Sequence, residues 1–268
     1  MTDSEIKLVS SSENTRFKAL KKLLTSARER RKSNQAVIEG FHLLDACAEA
    51  NLKPESVFLG EQVYQSQEAR KLFKRLAPRA ITLLAENLLS AVSDVETPSG
   101  ILAVLDIPGF RPPKNPSLVL FLEDIQDPGN LGSILRTAAG AGVDVAYLSK
   151  GCADPWSPKV LRSGMGAHFR LPIVEHGNLP ELAREFRGLV VATSLHAEKS
   201  LFDLDLAGPV AFVFGNEGAG LSSELAACAH VSSIIPMPGE IESLNVGAAV
   251  AVCLFEKVRQ GLTVPSHP

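Results

Sequence analysis

The strongest constraint on the fold is an alternation of apolar runs and helical patterns in the second half of the chain. Five runs are rich in apolar residues, and helical patterns separate most of them: residues 118–122, 145–148, 189–193, 210–214 and 231–235. Apolar strands joined by helices are typical of a parallel sheet that is covered on both faces. The pattern therefore predicts an α/β domain with a Rossmann-like parallel sheet.

A proline-rich segment separates this region from the rest of the chain. The stretch DIPGFRPPKNP, residues 106–116, holds four prolines and one glycine in eleven residues. It cannot sustain a helix or a central strand, because proline lacks an amide hydrogen and both residue types favour turns. We therefore predict a linker over 106–116, a small α/β domain over 1–105 and a larger domain over 117–268.

Composition narrows the class of protein. The 268 residues are 45% hydrophobic and 21% charged, with a net charge of −3, as in ordinary soluble globular proteins. No run approaches the roughly 18 apolar residues of a membrane span, and the polar N-terminus is not typical of a signal peptide. The four cysteines have no CxxC spacing, which argues against a zinc site and a disulfide framework. A cytoplasmic protein without a bound metal is expected.

One local cluster of charge differs from this neutral background. Residues 16–32 contain eight basic side chains and a single acidic one, Glu29. Local clusters matter for phosphate binding because salt screens charges that are more than about 10 Å apart. Two interpretations remain open: an RNA-binding surface, or a solvated helix face opposite the apolar stripe that begins at Phe17 and Leu20.

The helix predicted from Asn130 carries an arginine between two glycines. Gly132, Arg136 and Gly140 lie four residues apart and form one stripe along the helix. Each glycine costs roughly 1 kcal/mol relative to alanine in a helix interior, so the stripe predicts close approach of another backbone, or of a ligand beneath the guanidinium. The alternative is tight packing on the sheet, with Arg136 as a solvent-facing ion-pair partner.

Two further motifs follow strands in the C-terminal half. GNEGAG, residues 215–220, matches neither the GxGxxG dinucleotide fingerprint nor the GxxxxGK[ST] phosphate loop, which disfavours a nucleotide-dependent oxidoreductase. IPMPGEIESLN, residues 235–245, contains a rigid proline bend and then Ser243, which we predict to be the N-cap of the last helix. That helix is apolar almost all round through residue 255, so it is either deeply buried or part of a homo-oligomer interface.

Taken together, three motifs give a specific resemblance. DPGNLGSILRTAAGAG, FVFGNEGAGLSSEL and IPMPGEIESLNVGAAVAV, in this order, resemble the three motifs of the SpoU (TrmH) RNA 2′-O-ribose methyltransferases of the SPOUT superfamily. The stretch VLRSGMGAHFRLPI, residues 160–173, is similar to a loop of that family, and the region from Asn14 resembles its substrate-binding domain. The resemblance implies a C-terminal SPOUT domain with a parallel sheet and a deep trefoil knot, and a small N-terminal α/β RNA-binding domain. It also implies a homodimer with the site near the subunit interface.

The activity implied by the resemblance is S-adenosylmethionine-dependent methylation of a ribose 2′-OH in structured RNA. A two-domain chain favours large-subunit rRNA over tRNA, and a catalytically silent RNA-binding module in ribosome assembly is the alternative of a different class. The implied catalytic residues are Arg136, Asn130, Glu217, Ser243 and Asn245. The implied cofactor contacts are Thr193, Gly215, Glu217, Ile235, Met237, Leu244 and Asn245. The expected RNA contacts are Arg16, Lys18, Lys21, Lys22, Arg28, Arg30, Arg31, Lys159 and Arg162.

The chemistry restricts what Arg136 can do. Methyl transfer from a sulfonium to a hydroxyl needs positioning and no metal. A protonated guanidinium has no acceptor, so a literal general base is unsuitable. We expect Arg136 to stabilise the developing alkoxide and the adjacent phosphate through forked hydrogen bonds, while the proton leaves through phosphate or water.

Trp156 lies in a loop further along the chain. It is expected either to stack on an RNA base or to pack in a hydrophobic core.

Overall fold

The computed structural model describes residues 8–93, 98–239 and 241–262. This part of the chain divides into two compact units. The first takes the described residues up to Gly109 together with Trp156–Phe169, and the second takes Phe110–Pro155 and the described residues from Arg170 onward. The outer ends of the two predicted domains, 1–7 and 263–268, lie outside the described residues, as does the start of the polar N-terminus.

Short helices and strands alternate along the described chain. The strands are β1 (Leu8–Val9), β2 (Gln35–Glu39), β3 (Ser56–Leu59), β4 (Ile81–Leu84), β5 (Ile101–Asp106), β6 (Leu118–Leu122), β7 (Val145–Leu148), β8 (Ile173–Val174), β9 (Leu189–Thr193), β10 (Lys199–Ser200), β11 (Val210–Phe214) and β12 (Val231–Ile234). The helices are α1 (Thr15–Thr25), α2 (Ala27–Ser33), α3 (Phe41–Glu49), α4 (Glu61–Gln65), α5 (Gln67–Leu76), α6 (Glu86–Ser90), α7 (Pro128–Gly140), α8 (Pro158–Gly164), α9 (Leu179–Glu185), α10 (Ser223–Ala226) and α11 (Val246–Gly261). Two short 3₁₀ turns cover Ala167–Phe169 and Leu201–Asp203.

A five-stranded mixed sheet organises the first unit. Its strand order is β1-β4-β3-β5-β2, with β5 antiparallel to β2 and β3 and the other pairs parallel. Alternation along β2 sends Ala36 and Ile38 into one core and Val37 into another, because successive side chains of a strand point to opposite faces. The core around Val37 includes Phe17 and Leu20 of α1, so the apolar stripe of the basic segment is buried.

A seven-stranded sheet, parallel at every pairing, organises the second unit. Its order is β10-β12-β9-β11-β6-β7-β8. All five residues of β6 and of β11 are buried, as expected for central strands that are covered on both faces. The predicted parallel sheet is therefore confirmed. The sequence did not reveal β8 and β10, because two-residue strands are too short to show a periodicity.

The strand order brings three loops to one edge of this sheet. Strands β6, β11, β9 and β12 lie side by side and parallel, so their carboxyl ends share an edge. The motifs singled out in the sequence follow β6, β11 and β12. Helix α7 starts at that edge with Asp127 as its N-cap, whose Oδ1 accepts a hydrogen bond of 2.7 Å from the Asn130 amide. The first turn of α7 therefore lies at the same edge of the sheet as the loops that follow β11 and β12.

The last helix, α11, has one buried and one exposed side. It packs against α7 and β11, and it buries Val250, Cys253 and Leu254. Phe255 and Leu262 remain 50% and 65% exposed. The interpretation that this helix is buried on every side is therefore wrong, because the unit supplies neighbours for only one of its faces. Among the residues described, no helix combines the length and the hydropathy that a membrane span requires.

Candidate active site

The loops that follow β9, β11 and β12 enclose a cavity together with the start of α11. Its volume is about 370 Å³, within the range of small-molecule sites. All seven residues that the sequence analysis assigned to a cofactor line this cavity. They come from three separate strand ends and meet because those strands are neighbours in the sheet.

Several lining residues were not predicted. The hydroxyl of Ser233 on β12 is buried and finds no hydrogen-bond partner among the described residues, so a polar ligand atom would satisfy it. Leu195 and Phe214 also line the cavity and contribute apolar surface to it. At Gly215, which the sequence analysis did predict, a Cβ would lie 2.2 Å from the carbonyl oxygen of Gly220, so only glycine allows this loop to close. The one sequence signal for Ser233, Leu195 and Phe214 was their position within or shortly after an apolar run.

A chain of side-chain hydrogen bonds joins the three motifs. Asn130 Nδ2 donates to Glu217 Oε1 at 2.7 Å, and Asn245 Nδ2 donates to Asn130 Oδ1 at 3.0 Å. Asn245 Oδ1 accepts from the amides of Gly247 and Ala248 at 2.9 and 3.4 Å and so caps α11. Each motif contributes one member, and every member holds its neighbour in a fixed orientation.

This capping pattern corrects one sequence prediction. Ser243 is not the N-cap of the last helix, because α11 begins at Val246 and its cap is Asn245. Ser243 instead lies exposed in the preceding loop and lines the cavity. Its hydroxyl is therefore available to a ligand rather than to the helix.

A second set of bonds fixes the glycine loop to the end of β6. The Glu123 carboxylate accepts from the amide and the hydroxyl of Ser222, each at 2.7 Å. Asn216 Nδ2 donates to the backbone oxygen of Asp124 at 3.0 Å, and Asn216 Oδ1 accepts from the Gly218 amide at 2.9 Å. These bonds keep the first and second motifs in register and hold both ends of the loop that carries Glu217.

Arg136 lies on α7, beyond Asn130, and is exposed. Its guanidinium forms no hydrogen bond or ion pair with the residues that the structure describes, so none of these residues supports the ion-pair interpretation. The glycines beside it differ from each other. Gly132 is buried in the helix packing, whereas a Cβ at Gly140 would meet no described atom within 4 Å. The close approach predicted at Gly140 is therefore not made within the described chain.

Comparison with known proteins identifies the arrangement. The model of the SpoU rRNA Methylase family matches residues 117–255, and that of the MRM3-like substrate binding domain matches residues 14–103. The chain belongs to the SpoU rRNA methylase family. The predicted RNA methyltransferase and its α/β architecture are thereby confirmed.

Individual relatives cover nearly the whole chain. An uncharacterized tRNA/rRNA methyltransferase of Synechocystis is 36% identical, over 96% of this chain and 95% of its own. The Bacillus subtilis 23S rRNA (guanosine(2553)-2′-O)-methyltransferase RlmP is 34% identical, over 93% of this chain and 98% of its own. Among solved structures, the chain resembles the SpoU methyltransferase AviRb from Streptomyces viridochromogenes in complex with AdoMet. The superposition has a TM-score of 0.82 and covers 92% of this chain and 98% of that one, and the sequences are 30% identical.

Most residues expected to contact RNA lie exposed on the first unit of this SpoU methylase. Six of the predicted RNA contacts are exposed on helices α1 and α2: Arg16, Lys18, Lys21, Lys22, Arg28 and Arg31. Lys18 is paired with Glu13, and Arg16 donates to the Thr82 hydroxyl at 3.4 Å. Lys159 is exposed on α8. Helices α1 and α2 therefore present a basic surface to solvent.

Arg30 is the exception, and its assignment to RNA is wrong. The residue is 4% exposed, and its Nη1 donates to the backbone oxygens of Leu23 and Leu24 at 2.5 and 3.1 Å. These carbonyls lie in the last turn of α1, where the helix leaves oxygens without an internal partner. Arg30 therefore holds α2 against the end of α1.

Among the described residues, no cysteine lines the cavity, and three of the four thiols are poor nucleophiles. Burial raises the pKa of Cys47 and of Cys253 to about 12, and it also raises the pKa of Cys152, whose Sγ bonds the backbone oxygen of Leu122. A thiol with a raised pKa stays protonated and is a poor nucleophile. Within residues 8–93, 98–239 and 241–262, no group of three or more His, Cys, Asp or Glu side chains could hold a metal.

Proposed function

We propose that this chain transfers a methyl group from S-adenosylmethionine to a ribose 2′-OH of large-subunit rRNA. The observation that carries the proposal is the hydrogen-bonded chain Asn245–Asn130–Glu217, which joins the three family motifs beside the cavity. The substrate class is supported by the relatives named for 23S rRNA, RlmP among them.

The cavity fits S-adenosylmethionine by its chemistry. Apolar side chains of Leu195, Phe214 and Met237 offer a surface for a flat purine ring, and the buried Ser233 hydroxyl offers a polar contact. The cofactor is bound in the AviRb complex, which shares this fold. When bound, S-adenosylmethionine supplies a methyl group on a positively charged sulfur that a hydroxyl oxygen can attack.

Arg136 would stabilise the charge that develops during transfer. It offers five N–H donors in a planar fork and has no internal partner among the described residues, so its donors are available to an RNA phosphate and to the reacting oxygen. Stabilising a developing oxyanion with preorganised donors is one of the largest contributions to catalysis. The hydroxyl proton leaves to the phosphate or to water.

Asn130, Glu217 and Asn245 would orient the reactants. Asn130 uses both ends of its amide within the chain of hydrogen bonds, so its rotation is fixed before substrate binds. Ser243 lines the cavity with a hydroxyl that is free to contact substrate or cofactor. Preorganised positioning is the main requirement of a displacement that needs no metal.

Four further properties belong to the proposal. Residues 1–105 bind RNA and 117–268 transfer the methyl group, with 106–116 as the linker and with Trp156–Phe169 packed in the first unit. The chain acts as a cytoplasmic homodimer, supported by the exposed apolar side chains of Phe255 on α11 and of Leu262 directly after it. The second domain holds a deep trefoil knot, which the resemblance of the three motifs to the SPOUT superfamily implies.

Two measurements test the proposed function. Calorimetry should show binding of S-adenosylmethionine to the purified chain, and release of adenosylhomocysteine should require rRNA. Mapping of 2′-O-methyl groups in cells with and without the protein should reveal one position in large-subunit rRNA that depends on it. Methylation of tRNA instead would contradict the assignment of rRNA as the substrate. Failure to bind S-adenosylmethionine would favour a catalytically silent RNA-binding module.

A further inference from the structure

The segment Trp156–Phe169 packs in a different unit from its neighbours in sequence. It lies between β7 and β8 of the methyltransferase sheet and within the family match over residues 117–255. Nevertheless it belongs to the first unit, whose substrate-binding match ends at residue 103. The chain therefore passes between the units after Gly109, after Pro155 and after Phe169.

Its apolar side chains complete the core of the first unit. Trp156, Leu161 and Phe169 are 5%, 1% and 3% exposed, and they belong to the same cluster as Leu43 and Leu44 of α3. Trp156 is thus a core residue, and its indole meets the His168 ring edge-on with centroids 5.2 Å apart. Burial of this extent indicates an integral part of the unit rather than a surface loop.

The backbone of the segment approaches α3 closely at Gly166. Its φ is +92°, a conformation that other residues rarely adopt. A Cβ at this position would lie 2.7 Å from the Cβ of Ala46. The glycine in the middle of the motif VLRSGMGAHF is therefore explained by contact with the first unit.

An ion pair joins α8 to the end of β2. Arg162 Nη1 lies 3.6 Å from Glu39 Oε2, and the two side chains are 29% and 7% exposed. The Nη1 atom is buried and forms no hydrogen bond with the described residues, so Glu39 is the charge it faces. Ser93 donates to the other carboxylate oxygen of Glu39 at 2.5 Å. A residue that binds RNA phosphate would instead keep its donors exposed.

We propose that Arg162 is a positioning residue and not an RNA ligand. Through Glu39 it holds the segment Trp156–Phe169 to β2, so that the unit that binds RNA and the strands β7 and β8 are linked by more than the 106–116 linker. This inference rests on the proposed function, because its effect on the reaction is the orientation of bound RNA for methyl transfer. Loss of the pair lowers kcat, whereas the affinities for RNA and for S-adenosylmethionine stay unchanged.

A charge exchange tests the proposal in the full-length chain. Arg162→Glu and Glu39→Arg should each lower kcat about tenfold or more, because small misplacements of bound substrate have large effects on rate. The double variant should recover most of the loss. The salt dependence of RNA binding should not change in any of the three variants.

The opposite result has a clear signature. If Arg162 binds a phosphate, Arg162→Glu weakens RNA binding, reduces the slope of log affinity against log salt by about 0.7–0.9, and is not rescued by Glu39→Arg. That outcome would overturn the proposal. Arg28→Glu, at an exposed position on α2, provides the reference for such a slope change.

Hydrogen exchange separates this inference from the proposed function. In both single variants, peptides from β2, α3 and 156–169 should exchange faster, and the double variant should restore their protection, whether or not the chain methylates any RNA. Gly166→Ala should give the same exchange pattern without a change of charge. Gly208→Ala is the matched control, because a Cβ there meets no described atom within 4 Å. Unchanged protection in Arg162→Glu and Gly166→Ala would overturn the inference.

Discussion

Arg136 on α7 and Arg30 on α2 are the same side chain used in opposite ways. Arg136 is exposed and forms no hydrogen bond or ion pair with the described residues. Arg30 is buried, and its donors go to the carbonyl oxygens at the end of α1. A guanidinium whose donors are satisfied inside the fold stabilises that fold, whereas one with free donors can bind a phosphate or a developing oxyanion. Burial therefore separates the two roles where residue type does not.

The largest expected effect is on catalysis at Arg136. Arg136→Ala should lower single-turnover methyl transfer about 10²- to 10³-fold, because it removes preorganised donors from the transition state. Binding of S-adenosylmethionine, measured by calorimetry, should be unchanged. Arg136→Lys keeps the charge but loses the planar fork, and it should still lose about tenfold or more. Near-full activity of the lysine variant would contradict the forked geometry.

Activity should also depend on the hydrogen-bonded chain Asn245–Asn130–Glu217. Asn130→Ala removes the central member and should lower activity about tenfold to a hundredfold, because the loops lose their fixed orientation. Glu217→Gln is the matched control, since an amide oxygen can still accept from Asn130, and it should keep most of the activity. Equal losses in both variants would instead indicate that the charge of Glu217 is required.

Substitution of Arg30 should change the stability of the fold rather than the rate of methyl transfer. Arg30→Gln leaves buried carbonyl oxygens without donors and should lower the free energy of unfolding by about 1.5–3 kcal/mol. Arg28→Gln, exposed on the same helix, should change it by less than about 0.5 kcal/mol. Urea unfolding measures both. A stable Arg30→Gln protein with weakened RNA binding would reverse the comparison between Arg30 and Arg136.

The smallest effect is expected for Arg259, an exposed arginine in an ion pair. Its Nε and Nη2 donate to Glu256 at 2.8 and 2.7 Å, and these bonds lower the pKa of Glu256 below its ordinary value of 4.5. A carboxyl with a lowered pKa stabilises the fold above that ordinary value, and the stabilisation is lost as pH falls through the lowered pKa. Arg259→Gln should therefore be less stable than the parent at neutral pH, and the difference should shrink in acid. A difference that grows in acid would contradict the assignment.

The sequence predicted local features well because they depend on local patterns. Strand β6 was found because its five residues are all apolar, and the structure buries all five. The motif residues Asn130, Glu217 and Asn245 were selected together, although nothing in their spacing indicated that their side chains touch. Their contact depends on the order of β6, β11 and β12 in the sheet, which periodicity does not specify.

Features that depend on distant neighbours were missed or misassigned. Arg30 looks like every other basic residue of its cluster until the end of α1 lies against it. The sequence does not distinguish a stacking role from a core role for Trp156, because its partners on α3 lie more than a hundred residues earlier in the chain. Glu39 gave no signal at all, since its partner Arg162 comes from the other half of the sequence.

The discontinuous first unit has a consequence for how this protein is made. Its core lacks Trp156, Leu161 and Phe169 until those residues have left the ribosome, although the rest of the unit ends at Gly109. At roughly 5–20 residues per second, the N-terminal region waits several seconds with apolar surface uncovered. The first unit therefore cannot complete its folding before the second unit begins to be synthesised. The first unit reaches its native state only after synthesis of the second unit is well under way.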